Sequence, residues 1–166
     1  GKQDRLAAKP ANLGFDQAAA VPISGSTALQ ALRDQGRVQA GQSVLIAGAS
    51  GGVGSFAVQL AKAFDTEVTG VCSTSKVDLV RSLGADHVID YAHEDFTDGR
   101  HRYDLVLDIG GNTPVTRLRR ALIPEGTLVI VGGENGGRWL GGLQRQLQAL
   151  VMSPFVRQGL RVFVAR

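Results

Sequence analysis

Ser50, Gly51, Gly52 and Val53 are the residues whose types and spacing point most directly to chemistry. They lie in Ser43-Val44-Leu45-Ile46-Ala47-Gly48-Ala49-Ser50-Gly51-Gly52-Val53-Gly54, where a short apolar run turns through glycines into a second pattern. There Val53, Phe56, Ala57, Leu60, Ala61 and Phe64 recur at spacings of three and four, one face of a helix. A buried strand, a glycine turn and a helix make a phosphate cradle, because the helix N-terminus offers unpaired N–H groups and about half a positive charge to an anion. Gly51 lets the backbone come close to a pyrophosphate, and Gly54 lets the helix pack tightly on the strand. In strict form the motif is Ala49-x-Gly51-x-x-Gly54, with alanine at the first glycine position, so its weight rests on context. The plain alternative is a tight strand-to-helix turn that binds nothing.

The context is a second strand, Glu67-Val68-Thr69-Gly70-Val71, which ends about twenty residues on, where a ribose-reading residue belongs in a dinucleotide site. An NAD site places Asp or Glu there; an NADP site substitutes hydroxyl and basic groups beside the 2′-phosphate. This chain continues Cys72-Ser73-Thr74-Ser75-Lys76 and has no acid before Asp78. Ser73 can donate a hydrogen bond and Lys76 can supply positive charge, which favours NADPH over NADH. Ser73 to Ser75 also suit the capping of a helix from residue 76, and the two roles are compatible.

Other chemistries fit less well. Gly48-x-Ser50-x-Gly52 spells the nucleophile elbow of an α/β-hydrolase, with Ser50 as nucleophile. That reading needs a histidine near the last strand, whereas His87, His93 and His101 all precede the fourth. Ser73-x-x-Lys76 lacks the companion motifs of a β-lactamase, and no Gly-Lys-Ser/Thr closes the glycine loop as in a P-loop. Neither Tyr91 nor Tyr103 has a lysine four residues on. The histidines have no metal-ligand spacing, and Asp104 and Asp108 bracket the fourth strand.

The elements that must position these residues alternate regularly. Strands are predicted at 43–47, 67–71, 87–90, 104–108, 127–131 and 160–164, with helices at 53–64, 76–83, 113–122 and 140–151 between them. Before them, a short helix from Phe15 is expected to stop near Pro22. A second, capped by Ser26 or Thr27, should run from Ala28 to Gln35 and close at Gly36. Alternation of this kind predicts an α/β fold: a doubly wound, parallel, six-stranded Rossmann sheet, order 3-2-1-4-5-6, with helices on both faces.

Composition is consistent with one globular domain of 166 residues, 43% hydrophobic, with 22 glycines for many tight turns. The net charge of +3 is spread out; Arg117, Arg119 and Arg120 cluster on a helix, but aromatics are few, so no nucleic-acid partner is expected. One cysteine, Cys72, excludes an internal disulfide and a Cys-rich metal site. No run approaches the ~18 apolar residues of a membrane span. With no signal-peptide pattern either, no membrane partner and a cytoplasmic location are expected.

In combination, several stretches resemble the nucleotide-binding domain of a zinc-independent medium-chain dehydrogenase/reductase of the quinone oxidoreductase type. They are Leu6 to Leu13, Ala18-Ala19-Ala20-Val21-Pro22, Ser26 to Leu32, the Ala49 to Gly54 loop, Gly84 to Tyr91 and Pro124-Glu125-Gly126-Thr127. The resemblance implies that Thr27 lies near the nicotinamide end and that Ser50, Gly51, Gly52 and Val53 wrap the pyrophosphate. It implies that Ser73, Lys76 and Tyr91 contact the 2′-phosphate and adenosine, and that Ile109, Gly110 and Gly132 line the nicotinamide side. Zinc-dependent relatives draw a metal-binding cysteine from the stretch that here reads Pro22-Ile23-Ser24-Gly25, which has no thiol, so no zinc is expected.

Whole family members carry an N-terminal barrel-like domain that forms most of the substrate pocket. The resemblance therefore divides this chain into a connecting segment and helix, 1–36, leading from a missing catalytic domain, and a Rossmann domain, 37–166. Such a domain should bind nucleotide but turn over little substrate by itself, the small-molecule substrate being held mainly by the absent domain. No catalytic residue is identified within it. Leu160-Arg161-Val162-Phe163-Val164, apolar and at the sheet edge, suits pairing with a second copy into a homodimer. A non-catalytic NADPH sensor or assembly module is the competing reading.

Overall fold

The computed structural model describes residues 7–131 and 158–163. Six parallel strands form one sheet: β1 (Ser43–Ala47), β2 (Glu67–Cys72), β3 (His87–Asp90), β4 (Tyr103–Asp108), β5 (Leu122–Ile130) and β6 (Gly159–Val162). Their order is β3-β2-β1-β4-β5-β6, as the alternation predicts. The chain starts in the middle, at β1, steps outward through β2 and β3, and returns to build β4 to β6 on the other side. β1 pairs with β2 from Ser43↔Glu67 to Ala47↔Val71 and with β4 from Val44↔Leu105 to Ala47↔Asp108.

The period-two alternation of the strands divides the interior in two. Val44, Ile46, Val68, Cys72, Leu105 and Leu107 face one side, where α3 (Gly52–Ala63) contributes Ala57, Val58 and Ala61, and α4 (Val77–Ser82) contributes Val80. Leu45, Val71, Val106, Leu128 and Ile130 face the other, against Val115 and Leu118 of α5 (Val115–Leu118). Helices thus cover both faces. The predicted helix at 140–151 lies outside the described residues.

Residues 15–36 are helical without a break. α1 (Phe15–Ala20) passes through a π-type turn at Val21–Gly25 into α2 (Ser26–Leu29), and a further π-type stretch continues to Gly36. The expected stop at Pro22 does not occur, because the wider turn admits a residue with no N–H into the helical path. Nor do Ser26 and Thr27 begin a new helix. The Ser26 hydroxyl instead donates back to the carbonyl of Pro22, the one-turn-back bond of a helix interior. The end comes at Arg37, which takes the left-handed conformation (φ 52°). Ala28, Ala31 and Leu32 are fully buried in the same core as β1 and α3.

The predicted helix at 113–122 is shorter, one α turn and the 3₁₀ turn Arg119–Ala121, because Leu122 already pairs with Tyr103 at the start of β5. The register shifts between Tyr103 and Leu105, where β5 bulges through Pro124-Glu125-Gly126 before Thr127 resumes the ladder opposite Leu105. Among the described residues no helix is long and apolar enough to cross a membrane.

Candidate nucleotide site

The site follows from how the strands end. Gly48 leaves β1 with φ +87°, and a side chain there would also press on the Gly110 backbone, 3.0 Å from its nitrogen. The turn this permits swings the N–H groups of Gly48 and Ala49 onto the Val71 carbonyl of β2, at 3.1 and 3.0 Å. On the other side, the N–H groups of Ile109 and Gly110, just past β4, donate to the last β1 carbonyl, Ala47, at 3.0 and 3.1 Å. The loops from β1 and β4 therefore meet at their shared boundary, the switch point where parallel sheets hold ligands.

α3 starts on the far side of that turn. Gly51 is its N-cap, extended (φ −78°, ψ 175°), and no side chain caps the helix. The first N–H groups of a helix have no carbonyl one turn back, so those of Gly52, Val53 and Gly54 are available to an anion. Gly51 and Gly52 are exposed and Ser50 and Val53 half-buried. A Cβ on Gly54 would stand 2.1 Å from the Gly48 oxygen, so the packing of α3 on the loop requires glycine. A Cβ on Gly51 would meet only that oxygen, at an ordinary 3.5 Å. Its missing side chain leaves room that the fold does not fill. The cradle fits a pyrophosphate for this reason.

Ser24, which the sequence analysis did not single out, sits over the same helix end. Its Oγ lies 3.2 Å from where a Gly52 Cβ would stand, a proximity that only the path of the π-type turn reveals. Thr27, one helical turn on, is 7% exposed.

A cleft of about 620 Å³ opens at the carboxyl ends of the strands, lined among others by Gly48, Val71, Tyr91, Asp95, Asp108 and Gly110. Of the predicted residues, Tyr91 and Gly110 line it. Tyr91 is exposed at its rim, and its N–H donates to the Cys72 carbonyl at 3.1 Å, which fixes it beside the end of β2. Ile109 is half-buried with its side chain against the core of the α3 face. Asp108 is buried at the cleft and accepts the Gly111 N–H at 3.3 Å. Asp104, at the other end of β4, takes the N–H and hydroxyl of Ser43 at 2.8 and 2.9 Å and serves the sheet.

Ser73, Thr74, Ser75 and Lys76 form the junction from β2 into a 3₁₀ turn, Thr74–Lys76, ahead of α4. Lys76 is exposed, and the Ser73 and Ser75 hydroxyls are 3.4 Å apart. The nearby acid, Asp90 at the end of β3, is taken up locally. The Thr74 hydroxyl and the Ala92 N–H hold its carboxyl below the usual range. The Cys72 thiol is pushed up by burial and by the Asp90 charge, so it stays protonated and inert at neutral pH. Gly132 lies outside the described residues.

Known proteins share this fold. The family described as zinc-binding dehydrogenase matches residues 52–163, and the chain belongs to it. More widely, its homologues are quinone and enone oxidoreductases of the medium-chain dehydrogenase/reductase superfamily. A zinc-type alcohol dehydrogenase-like protein of Schizosaccharomyces pombe is 36% identical over 86% of this chain and 43% of its own length. An NADPH-dependent alkenal/one oxidoreductase of Arabidopsis thaliana chloroplasts is 45% identical over 64% of this chain and 28% of its own. The quinone oxidoreductase of Thermus thermophilus, a structure determined also in complex with NADPH, superposes with a TM-score of 0.74. It shares 28% identity over 96% of this chain and 50% of that one. The chain thus spans half or less of the length of these relatives.

Proposed function

We propose that this chain is the NADPH-holding domain of a zinc-free oxidoreductase that reduces quinones or enones. The observation that carries the reading is the open glycine face at Gly51 over the uncapped N-terminus of α3, at the switch point of the sheet. Names of relatives support it: an NADPH-dependent enone reductase and a quinone oxidoreductase known with NADPH. When bound, NADPH supplies the hydride. The chain's own residues bind and orient. The loop from Ser50 to Val53 wraps the pyrophosphate and the free N–H groups at the start of α3 hold it, Ser73 and Lys76 take the 2′-phosphate, and Tyr91 covers the adenosine. Thr27, Ile109, Gly110 and Gly132 are assigned to the nicotinamide side. This is catalysis by positioning and cofactor chemistry rather than by an acid–base pair among the described residues.

The substrate is assigned to a domain reached through residues 1–36. Phe15 and Ile23, 83% and 80% exposed on the helical segment that passes the cradle, support a covering surface there. The zinc-free reading rests on residue chemistry: Pro22-Ile23-Ser24-Gly25 offers no thiol, and the lone cysteine is buried. The cytoplasm is proposed as the compartment, one of the reducing settings with which a free buried thiol is compatible.

Calorimetric titration tests the assignment. NADPH should bind more tightly than NADH, and Lys76→Glu should weaken NADPH about tenfold or more, the scale of one charge-assisted hydrogen bond, while leaving NADH nearly unchanged. Equal losses for both nucleotides would remove Lys76 from the 2′-phosphate site.

A further inference from the structure

The segment from Tyr91 to Arg102, which returns the chain from β3 to β4, contains no helix. It nevertheless supplies one wall of the cleft at the carboxyl ends of the strands, through Tyr91 to Thr97. Beyond the Tyr91 bond to the Cys72 carbonyl, two attachments hold it. Phe96 packs against the core of the α5 face. Asp95 and Thr97 are gripped from across the cleft by Arg117, whose Nη2 donates to Asp95 Oδ2 at 2.7 Å and whose Nε donates to Thr97 Oγ1 at 3.1 Å. The Thr97 hydroxyl and N–H in turn donate to Asp95 Oδ1, at 2.6 and 2.9 Å. Thr97 is buried, while the Asp95 and Arg117 side chains are about half exposed. Asp95 is held below the usual carboxylate range by the Thr97 hydroxyl and N–H, with Arg117 adding to them against burial.

Arg117 itself comes from a fixed base. Val115 and Leu118 of the same turn are fully buried, which anchors α5 on the sheet. A guanidinium fork is needed for two acceptors at once, and a lysine ammonium on a flexible stem does not reproduce it. Tyr91, where the wall begins, is fixed beside the end of β2 by its bond to the Cys72 carbonyl, the side on which a dinucleotide site reads the adenosine ribose. We propose that Arg117 is a positioning residue for the adenosine half of the nucleotide, setting through Asp95 and Thr97 the distance between the 91–97 wall and the floor at Gly48 and Gly110. The inference rests on the nucleotide reading above.

The test is titration of the wild-type chain, Arg117→Met, Arg117→Lys and Asp95→Asn with NADPH and with 2′,5′-ADP, which carries the adenosine half alone. Arg117→Met, which keeps the apolar stem, should weaken both ligands by the same factor, about five- to tenfold, with the nucleotide-free melting temperature within a few degrees of wild type. Arg117→Lys should recover only part of the loss. Asp95→Asn, an exposed change that keeps side-chain shape, should weaken both ligands in the same direction and serves if Arg117→Met does not fold. Wild-type affinity for 2′,5′-ADP in Arg117→Met or, failing it, Asp95→Asn would overturn the proposal. A wild-type chain that binds neither ligand would overturn the nucleotide reading itself, and this inference with it.

Discussion

Gly51 and Gly54 are the same amino acid answering two different demands. At Gly54 the demand is internal, since an added Cβ would stand 2.1 Å from the Gly48 oxygen and 2.8 Å from the Ala49 backbone. At Gly51 the protein has room for a methyl, and only a ligand pressed onto the backbone would object. Gly51→Ala should therefore melt with the wild type yet bind NADPH about tenfold or more weakly. Gly54→Ala should cost about 3 kcal/mol or more of stability, or fail to fold, before any question of binding arises. Thermal melts and calorimetry on the two variants separate these roles, and wild-type affinity in Gly51→Ala would mean that no ligand backbone passes there. The strand, glycine turn and helix of this loop, and the packing role of Gly54, were legible in the sequence, apart from one offset. The left-handed turn is made by Gly48, one residue before the alanine of the motif. Ala49 is fully buried, its methyl 3.1 Å from where a Gly70 Cβ would stand, so alanine fills a gap against β2. Ser24 and the Arg117 clasp were not legible. Both depend on where separated segments meet in space, and Asp95 lies 22 residues from Arg117.

Elements were legible where a periodic pattern had one outlet, and less so where neighbours competed for the same residues. β1 to β4 and α3 fall within a residue of their predicted bounds, because each is an apolar pattern ended by a turn. The run 113–122 suits a helix by periodicity, but Leu122 is claimed by the ladder to Tyr103, a pairing invisible from local sequence. The amino end of β2 shows how one side chain ties such elements together. Asp86, just before β3, accepts the Val68 N–H at 2.7 Å and the Lys62 ammonium of α3 at 2.8 Å, while its own N–H donates to Val68 O. Burial works to raise its pKa, but Lys62 and the Val68 N–H outweigh it and leave it lowered. A carboxyl with a depressed folded pKa adds stability that is full above its unfolded value, about 3.9, and is lost as pH falls through the folded one. Asp86→Ala should thus cost about 1 kcal/mol at pH 7, discounted for partial exposure, and the gap to wild type should narrow in acid. Urea unfolding at pH 7 and pH 3 measures it; a gap independent of pH would mean that the carboxylate charge contributes nothing.

For the molecule as a whole, β6 is the element with an unresolved obligation, because among the described residues it is one of the two edges of the sheet, the other being β3. It is anchored inward. Leu160 and Phe163 are each 6% exposed on opposite faces of the sheet, and Arg161 donates to the Gln35 carbonyl of the helical segment. The N–H of Phe163 donates to Ile130 of β5, so by the alternation of a strand those of Leu160 and Val162 point away from the sheet. An outward row of donors and acceptors on an apolar strand is a template for a second copy, and we propose a homodimer through this edge. The geometry supplies a selective test. Val162→Pro removes an outward N–H and leaves the bonds to β5 in place, whereas a charge at the same position acts only by desolvation. Light scattering should show a dimer for the wild type and a monomer for Val162→Pro, with Val162→Lys also weakened. A dimer that survives Val162→Pro would show that the copies meet on another surface, and that the edge strand is not what joins them.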